Sequence, residues 1–368
     1  MGSTTAPMGS AAPIQCDIFC RVVDNFGDIG VTWRLARQLS GEFGVQIRLI
    51  VDELASFQKL APAIDLNAAT QTADGIAILA WHQNILLAPA QCVIEAFQCE
   101  LPTSYINAMA LMKPAPVWLN LEYLSAESWV GEHHLLPSPQ PQTGLNKYFF
   151  FPGFRANTGG LIREHALLFQ HQQFQQDQSQ ATTGSLKIFL FGYENVALTA
   201  LLESFSDAAR HLICTIPSGA LARQAKAYVP NVELNTIEFL PQPELDHLLW
   251  SHDVLFVRGE DSFVRAQWAA KPFVWQIYPQ AERAHWLKLN AFLDLYCEGL
   301  AADAADAVRE LHRAWNDQDA DAIGAAWQAF YGQLGLLQEH AAAWSQKLSQ
   351  MPDLATQLMT FYAKTAKI

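Results

Sequence analysis

The chain has 368 residues, about half of them apolar and only 16% charged, with a formal net charge of −13. That length exceeds what one hydrophobic core usually holds, so two domains are expected. The acidic balance excludes a broad basic face for nucleic acid, and six scattered cysteines without metal-ligand spacing read as buried thiols of a reducing cytoplasm.

Residues 1–12 are small and polar without an apolar core, neither signal peptide nor membrane anchor, and residues 1–14 are expected to be disordered. Residues 16–23 read as a strand, 31–39 as a helix and 45–51 as a second strand, a βαβ unit with parallel pairing. The turn between them, Asp24-Asn25-Phe26-Gly27-Asp28-Ile29-Gly30, sets two acids at the sheet's carboxyl edge. It lacks the G-x-G-x-x-G order of a dinucleotide site. One of Asp24 and Asp28 is expected to cap the helix, leaving the other for chemistry.

The alternation continues with strands over 75–81, 91–97 and 116–123 and a helix over 104–112. Residues 148–154, YFFFPGF, are broken by Pro152 and Gly153 and read as a core-lining loop. From 171 to 185, HQQFQQDQSQATTGS has the composition of a linker and places the domain boundary, giving domains over 15–175 and 185–351. A second alternation follows: strands over 186–191, 212–216 and 232–239, Gly192-Tyr193-Glu194 after the first of them, and a helix over 242–250.

Residues 253–257 form an apolar run that ends in Arg258-Gly259-Glu260-Asp261-Ser262, with Val264, Trp268 and Ala269 at helical spacing beyond it. This is a buried strand, a glycine turn and a helix start. Glu260, Asp261 and Ser262 are cap-forming side chains at a point where free N–H groups and the helix dipole favour an anion. Arg258 is a cation at the carboxyl end of a parallel strand, where open α/β sheets bind ligands. After a strand over 272–278 the chain turns helical from Ala284 onward. The fold expected is α/β, with two doubly wound Rossmann-like domains facing a cleft in the glycosyltransferase-B arrangement.

Four blocks, DNFGDIGVTWRLARQL, WLNLEYLSAESWV, KYFFFPGF with TGGLIRE, and VRGEDSFVRAQWAAKPFVWQIYPQ, occur in an order that resembles the bacterial elongation factor P arginine rhamnosyltransferases, and they span nearly the whole chain after residue 15. The resemblance implies a cytoplasmic, metal-independent, inverting enzyme without a cofactor. It would move L-rhamnose from dTDP-β-L-rhamnose to one arginine of elongation factor P, the factor that rescues ribosomes stalled at polyproline. It also implies a protein acceptor on the N-terminal domain, the donor on the C-terminal one, and a terminal helix (352–368) crossing back to the first. By motif, Asp28 and Asp24 carry over as the acid pair, with Asp28 as base, and Glu260 carries over both as a third catalytic acid and, with the residues that follow, to the donor's sugar and pyrophosphate. Arg258, Asp261 and Ser262 carry over to the donor's sugar and pyrophosphate, and Phe191, Tyr193, Phe239 and Gln242 to its surroundings, including the thymine. Membrane and nucleic acid are not expected as partners. The alternative is a non-catalytic nucleotide-sugar or protein-binding module of the same fold, which would have no need of the acid pair; a UDP-sugar donor is a lesser alternative.

Overall fold

The computed structural model describes residues 13–24, 26–81, 87–178, 184–205, 211–226, 232–238 and 240–366. The expectation of a disordered N-terminus falls on residues 1–12, which lie outside them, apart from its last two positions. The first sheet comprises β1 (Gln15–Cys20), β2 (Gln46–Val51), β3 (Thr70–Ala73), β4 (Ile76–Ala80), β5 (Cys92–Ala96), β6 (Val117–Leu121), β7 (Pro137–Gln140) and β8 (Leu145–Phe150). Their order is β3-β4-β2-β1-β5-β6-β8-β7, parallel from β4 to β8 with an antiparallel strand on each edge. The second sheet, β9 (Leu186–Leu190), β10 (Leu212–Pro217), β11 (Glu233–Ile237), β12 (Val254–Arg258) and β13 (Phe273–Gln276), is parallel throughout in the order β11-β10-β9-β12-β13. Both are doubly wound, as their alternating apolar runs predict.

Around the first sheet lie α1 (Gly27–Phe43), α2 (Leu54–Leu60), α3 (Thr103–Leu111) and the short α4 (Val130–His133). Then follow α5 (Leu167–Gln178), α6 (Leu198–Phe205), α7 (Ala220–Lys226), α8 (Gln242–Trp250), α9 (Asp261–Ala269), α10 (His285–Tyr296), α11 (Ala302–Asp317), α12 (Ile323–Gly332), α13 (Leu334–Ser349) and α14 (Leu354–Thr365). Leu354, Ala355, Leu358 and Tyr362 of α14 join the first sheet's core, whereas Leu124, Phe154, Leu161 and Leu167 join the second's. All six cysteines are free and buried. Among the described residues no helix is long and apolar enough to cross a membrane.

Four expectations need correction. Residues 148–150 belong to β8, because Pro152 and Gly153 interrupt the chain only after the strand has paired with β6 and β7. The linker stretch is helical up to Gln178: its polar composition hides Leu167, His171 and Phe174 at i, i+4 and i+7, with the two rings packed on Trp250 at 5.1 and 5.6 Å. Two edge strands went unforeseen. β3 and β4 are joined by Asp74 (φ 48°) and Gly75 (φ 76°), an Asp-Gly hairpin turn, and β7 carries prolines that only an edge tolerates. Finally, α1 begins at Gly27, so Asp28 lies in its first turn rather than in the preceding loop.

Candidate active site

In the first sheet the strand order reverses between β1 and β5, and in the second between β9 and β12; open α/β sheets bind ligands beyond the carboxyl ends of the strands at such points. The two points face each other. The Tyr193 hydroxyl, beyond β9, donates to both carboxylate oxygens of Asp24, beyond β1, at 3.0 Å. Glycine lets the two turns approach: a Cβ on Gly259, whose φ is +60°, would stand 3.1 Å from Asp24 Oδ2, and within the first turn a Cβ on Gly27 would meet the same atom at 2.5 Å.

Three carboxylates meet here. Asp28 Oδ2 accepts the N–H groups of Val23 (2.7 Å) and Asp24 (2.9 Å), and the neighbouring Tyr123 hydroxyl favours its ionised form. The residue before α1 is Phe26, and no side chain caps the helix, so neither aspartate has the capping role expected of one of them. Glu260 Oε2 accepts the N–H of Leu124 at 3.0 Å, across the junction between the sheets. Burial raises Asp24 to about 6, against the Tyr193 hydrogen bond, with Asp28 adding to the rise. Burial likewise raises Asp28. Glu260 is pushed up to about 8 by burial, and although the Lys288 ammonium opposes the rise, both aspartates add to it. Carboxylates that raise one another in a partly closed site mark a place suited to a cation or a proton transfer.

These acids line a cavity of about 480 Å³ together with Phe97, Tyr123, Tyr278 and Lys288. Phe97 stacks on Tyr123 at 4.4 Å between centroids, and the Lys288 ammonium sits 5.1 Å from the Tyr123 ring. On the other side of Arg258 lies a cavity of about 670 Å³ lined by Phe26, Phe191, Tyr193, Ser218, Gly219 and Arg223, among others. A narrow space of about 50 Å³, walled by Asp24, Gly27, Arg258, Gly259 and Glu260, shares residues with both. The Arg258 guanidinium lies over the rings of Tyr193 (4.5 Å), Phe191 (4.6 Å) and Phe26 (5.5 Å). Burial lowers its pKa, while Tyr193 and Asp24 pull it back up.

Glu260, Asp261 and Ser262 do not cap α9 as expected, because each side chain has a stronger partner elsewhere. Glu260 takes the Leu124 N–H. Asp261 accepts from Arg34 (3.2 Å), Arg265 (3.0 Å) and Gln242 (3.0 Å). The Ser262 hydroxyl donates to the Arg258 carbonyl and accepts the Arg258 N–H at 3.1 Å, which holds the strand-to-helix turn closed. The start of α9 is thereby left without a side-chain cap beside the narrow space. The Gln242 amide nitrogen donates to both the Gly30 carbonyl (2.9 Å) and Asp261, which orients the amide and leaves its buried Oε1 without a partner. Phe239 lies outside the described residues.

The structure thus gathers Asp24, Asp28, Arg258, Glu260, Phe191 and Tyr193 around one cleft. Sequence reading assigned no role to Phe97, Tyr123, Tyr278 or Lys288. Phe97 directly follows β5 and Tyr123 stands two residues beyond β6, a usable signal, whereas Tyr278 and Lys288 arrive from the other half of the chain. Among the described residues no cluster of three His, Cys, Asp or Glu side chains has the geometry of a metal site.

A family model described as Elongation-Factor P (EF-P) rhamnosyltransferase EarP matches residues 16–363. The chain is 45% identical to a protein-arginine rhamnosyltransferase of Pseudomonas aeruginosa, over 94% of this chain and 98% of that protein, and 36% identical to one of Neisseria meningitidis serogroup B, over 97% and 99%. A solved structure described as the structural basis for EarP-mediated arginine glycosylation of translation elongation factor EF-P superposes with a TM-score of 0.63 at 33% identity, covering 95% of this chain and 99% of that one. The Acinetobacter baumannii MurG structure (TM-score 0.53, 11% identity, 96% and 100% covered) shares the fold.

Proposed function

We propose, from the premise that this chain belongs to the EarP family and is a protein-arginine rhamnosyltransferase, that it takes L-rhamnose from dTDP-β-L-rhamnose and transfers it with inversion to one arginine of elongation factor P. The observation that carries the reading is the cavity in which Asp24, Asp28 and Glu260 stand with the stacked rings of Phe97 and Tyr123. A guanidinium is planar, cationic and rich in N–H donors, and it pairs with carboxylates and stacks on aromatic faces. Three acids raised by burial, with Asp28 adding to the rise of Asp24 and both aspartates to that of Glu260, gain most from such a guest.

The donor belongs on the other side of Arg258. Its pyrophosphate would meet the guanidinium and the uncapped start of α9, and the thymidine would lie along the larger cavity beyond Phe191 and Tyr193. The unpartnered Gln242 Oε1 is an acceptor ready for an N–H or hydroxyl of the donor. These groups supply charge complementarity from side chains and backbone alone, and the reading assigns no role to a metal ion.

An arginine side chain stays protonated at working pH, with a pKa above about 12, and has no free lone pair. Asp28 therefore acts in the transition state: it aligns one N–H and accepts its proton as nitrogen bonds to the anomeric carbon and the bond to the pyrophosphate oxygen breaks. Asp24, fixed by the Tyr193 hydroxyl, holds the remainder of the fork, and Glu260 faces the same cavity. One base opposite the leaving group gives single displacement, hence inversion to an α-rhamnosyl arginine with dTDP released. Choosing one arginine among many calls for docking of the folded acceptor over the first sheet's carboxyl edge. The test is intact-mass measurement of elongation factor P after incubation with this protein and dTDP-L-rhamnose. The expected product carries a single deoxyhexosyl group on one arginine, and an unmodified factor would refute the reading.

A further inference from the structure

We infer that Arg34, which no part of the cleft requires as a substrate contact, is a positioning residue that sets the distance between the two halves of the site. The acids to be aligned sit on different elements: Asp28 in the first turn of α1, and Glu260 with Arg258 in the turn before α9. The cavities between them are open, so something behind the cleft has to hold the two helices in register. Arg34 lies on α1 six residues after Asp28, with no side-chain exposure. Its Nε and Nη2 fork onto Glu164 at 2.6 and 2.7 Å, and its Nη1 reaches Asp261, the first residue of α9, at 3.2 Å.

The joint is built on both sides. Arg265, one turn along α9, donates to Asp261 at 3.0 Å and to Asp246 at 2.6 Å. Gln242 ties Asp261 to the carbonyl of Gly30, one turn before Arg34, and a Cβ on Gly30 would approach its amide nitrogen to 3.3 Å. Burial opposes charge on Glu164, yet the Arg34 guanidinium holds it down at about 2; burial opposes charge on Asp261 too, and Arg265 and Arg34 hold it below the usual range. The cluster is thus a charged linkage, buried at Arg34, Arg265 and Asp261 and partly exposed at Glu164, whose geometry is fixed by forked donors. Glu164 holds the far side of the guanidinium and lines none of the three cleft cavities. A shift of about 1 Å between reacting groups can cost on the order of a hundredfold in rate without a change in what is bound.

The inference rests on the reading that Asp28 and Glu260 serve one reaction, and the experiment keeps the two apart by including Asp28→Asn. Arg34→Lys retains the charge and loses the fork; Glu164→Gln releases the guanidinium without touching Asp261. Single-turnover transfer at saturating donor and acceptor, calorimetric titration with dTDP and thermal unfolding are measured on each. Both variants are expected to transfer roughly 10- to 100-fold more slowly while the dTDP dissociation constant stays within about threefold. The double variant should be no slower than the slower single, because the two residues act as a unit. Transfer within about threefold of wild type in folded Arg34→Lys and Glu164→Gln would overturn the inference, as would a rate loss matched by an equal loss of dTDP affinity, or one that vanishes at a temperature where the variants are fully folded. If Asp28→Asn also transfers normally, it is the reading of the site that fails.

Discussion

Replacing Asp28 by Asn removes one charge from the cleft and keeps its shape. Asp28 Oδ2 accepts the N–H groups of Val23 and Asp24 at 2.7 and 2.9 Å. An amide oxygen can receive both, at neutral rather than charge-assisted strength, a loss of roughly 1 kcal/mol for each bond. Against this, burial is the largest influence on Asp28 and raises its pKa, so the ionised carboxylate carries a folding cost that the amide lacks. The two effects oppose each other, and the unfolding temperature should move by no more than a few degrees. Transfer should behave otherwise. Without a base to take the guanidinium proton, the rate is expected to drop about 10²–10⁴-fold, roughly 2.7–5.5 kcal/mol on the barrier. The assay is rapid-quench single turnover with saturating dTDP-L-rhamnose and elongation factor P, beside a dTDP titration that should be unchanged. Transfer near the wild-type rate would refute the reasoning: Asp28 would then only order the backbone at Val23 and Asp24, and the base would have to be Asp24 or Glu260.

Arg258→Ala removes the cation stacked between Phe191 and Tyr193 and should weaken dTDP binding by roughly 1.5–3 kcal/mol by calorimetry; an unchanged dissociation constant would take Arg258 out of the site. Glu260, at about 8 in the folded protein, keeps a proton that the unfolded chain gives up near the ordinary value of about 4.3. Its contribution to stability therefore falls as pH rises through that window and is flat above it. Glu260→Gln should remove this slope, so that denaturant titrations at pH 5 and pH 9 differ less for the variant than for wild type; equal slopes would contradict the burial argument. Gly259→Ala places a side chain at φ +60° and 3.1 Å from Asp24 Oδ2, which should cost about 1–2 kcal/mol of stability and slow transfer by displacing Asp24. Transfer should persist in excess chelator, and loss restored by magnesium or manganese would contradict the side-chain and backbone account of pyrophosphate binding.

Sequence by itself determined a good deal of this protein, and for local reasons. The apolar runs and the turns at Asp24–Gly30 and Arg258–Ser262 follow from neighbours along the chain, so both doubly wound sheets and the polar residues at their carboxyl ends were legible. The ordered motif blocks identified the family because their residues are read jointly. What only the tertiary structure decided is which partner each polar side chain takes. Glu260, Asp261 and Ser262 have the composition of a helix cap, and none caps: Glu260 and Asp261 take Leu124 and Arg34, which are nearby only in three dimensions, and Ser262 turns back to the Arg258 carbonyl four residues earlier. The glutamine-rich stretch from His171 has the composition of a linker, and it is helical as far as Gln178 because Trp250 gives its rings a surface to cover. Tyr193 and Asp24 are 169 residues apart and hydrogen-bonded. Such pairings depend on how two sheets pack against each other, and the energy that selects them is the desolvation of charge in a shared interior, which no stretch of sequence read alone contains.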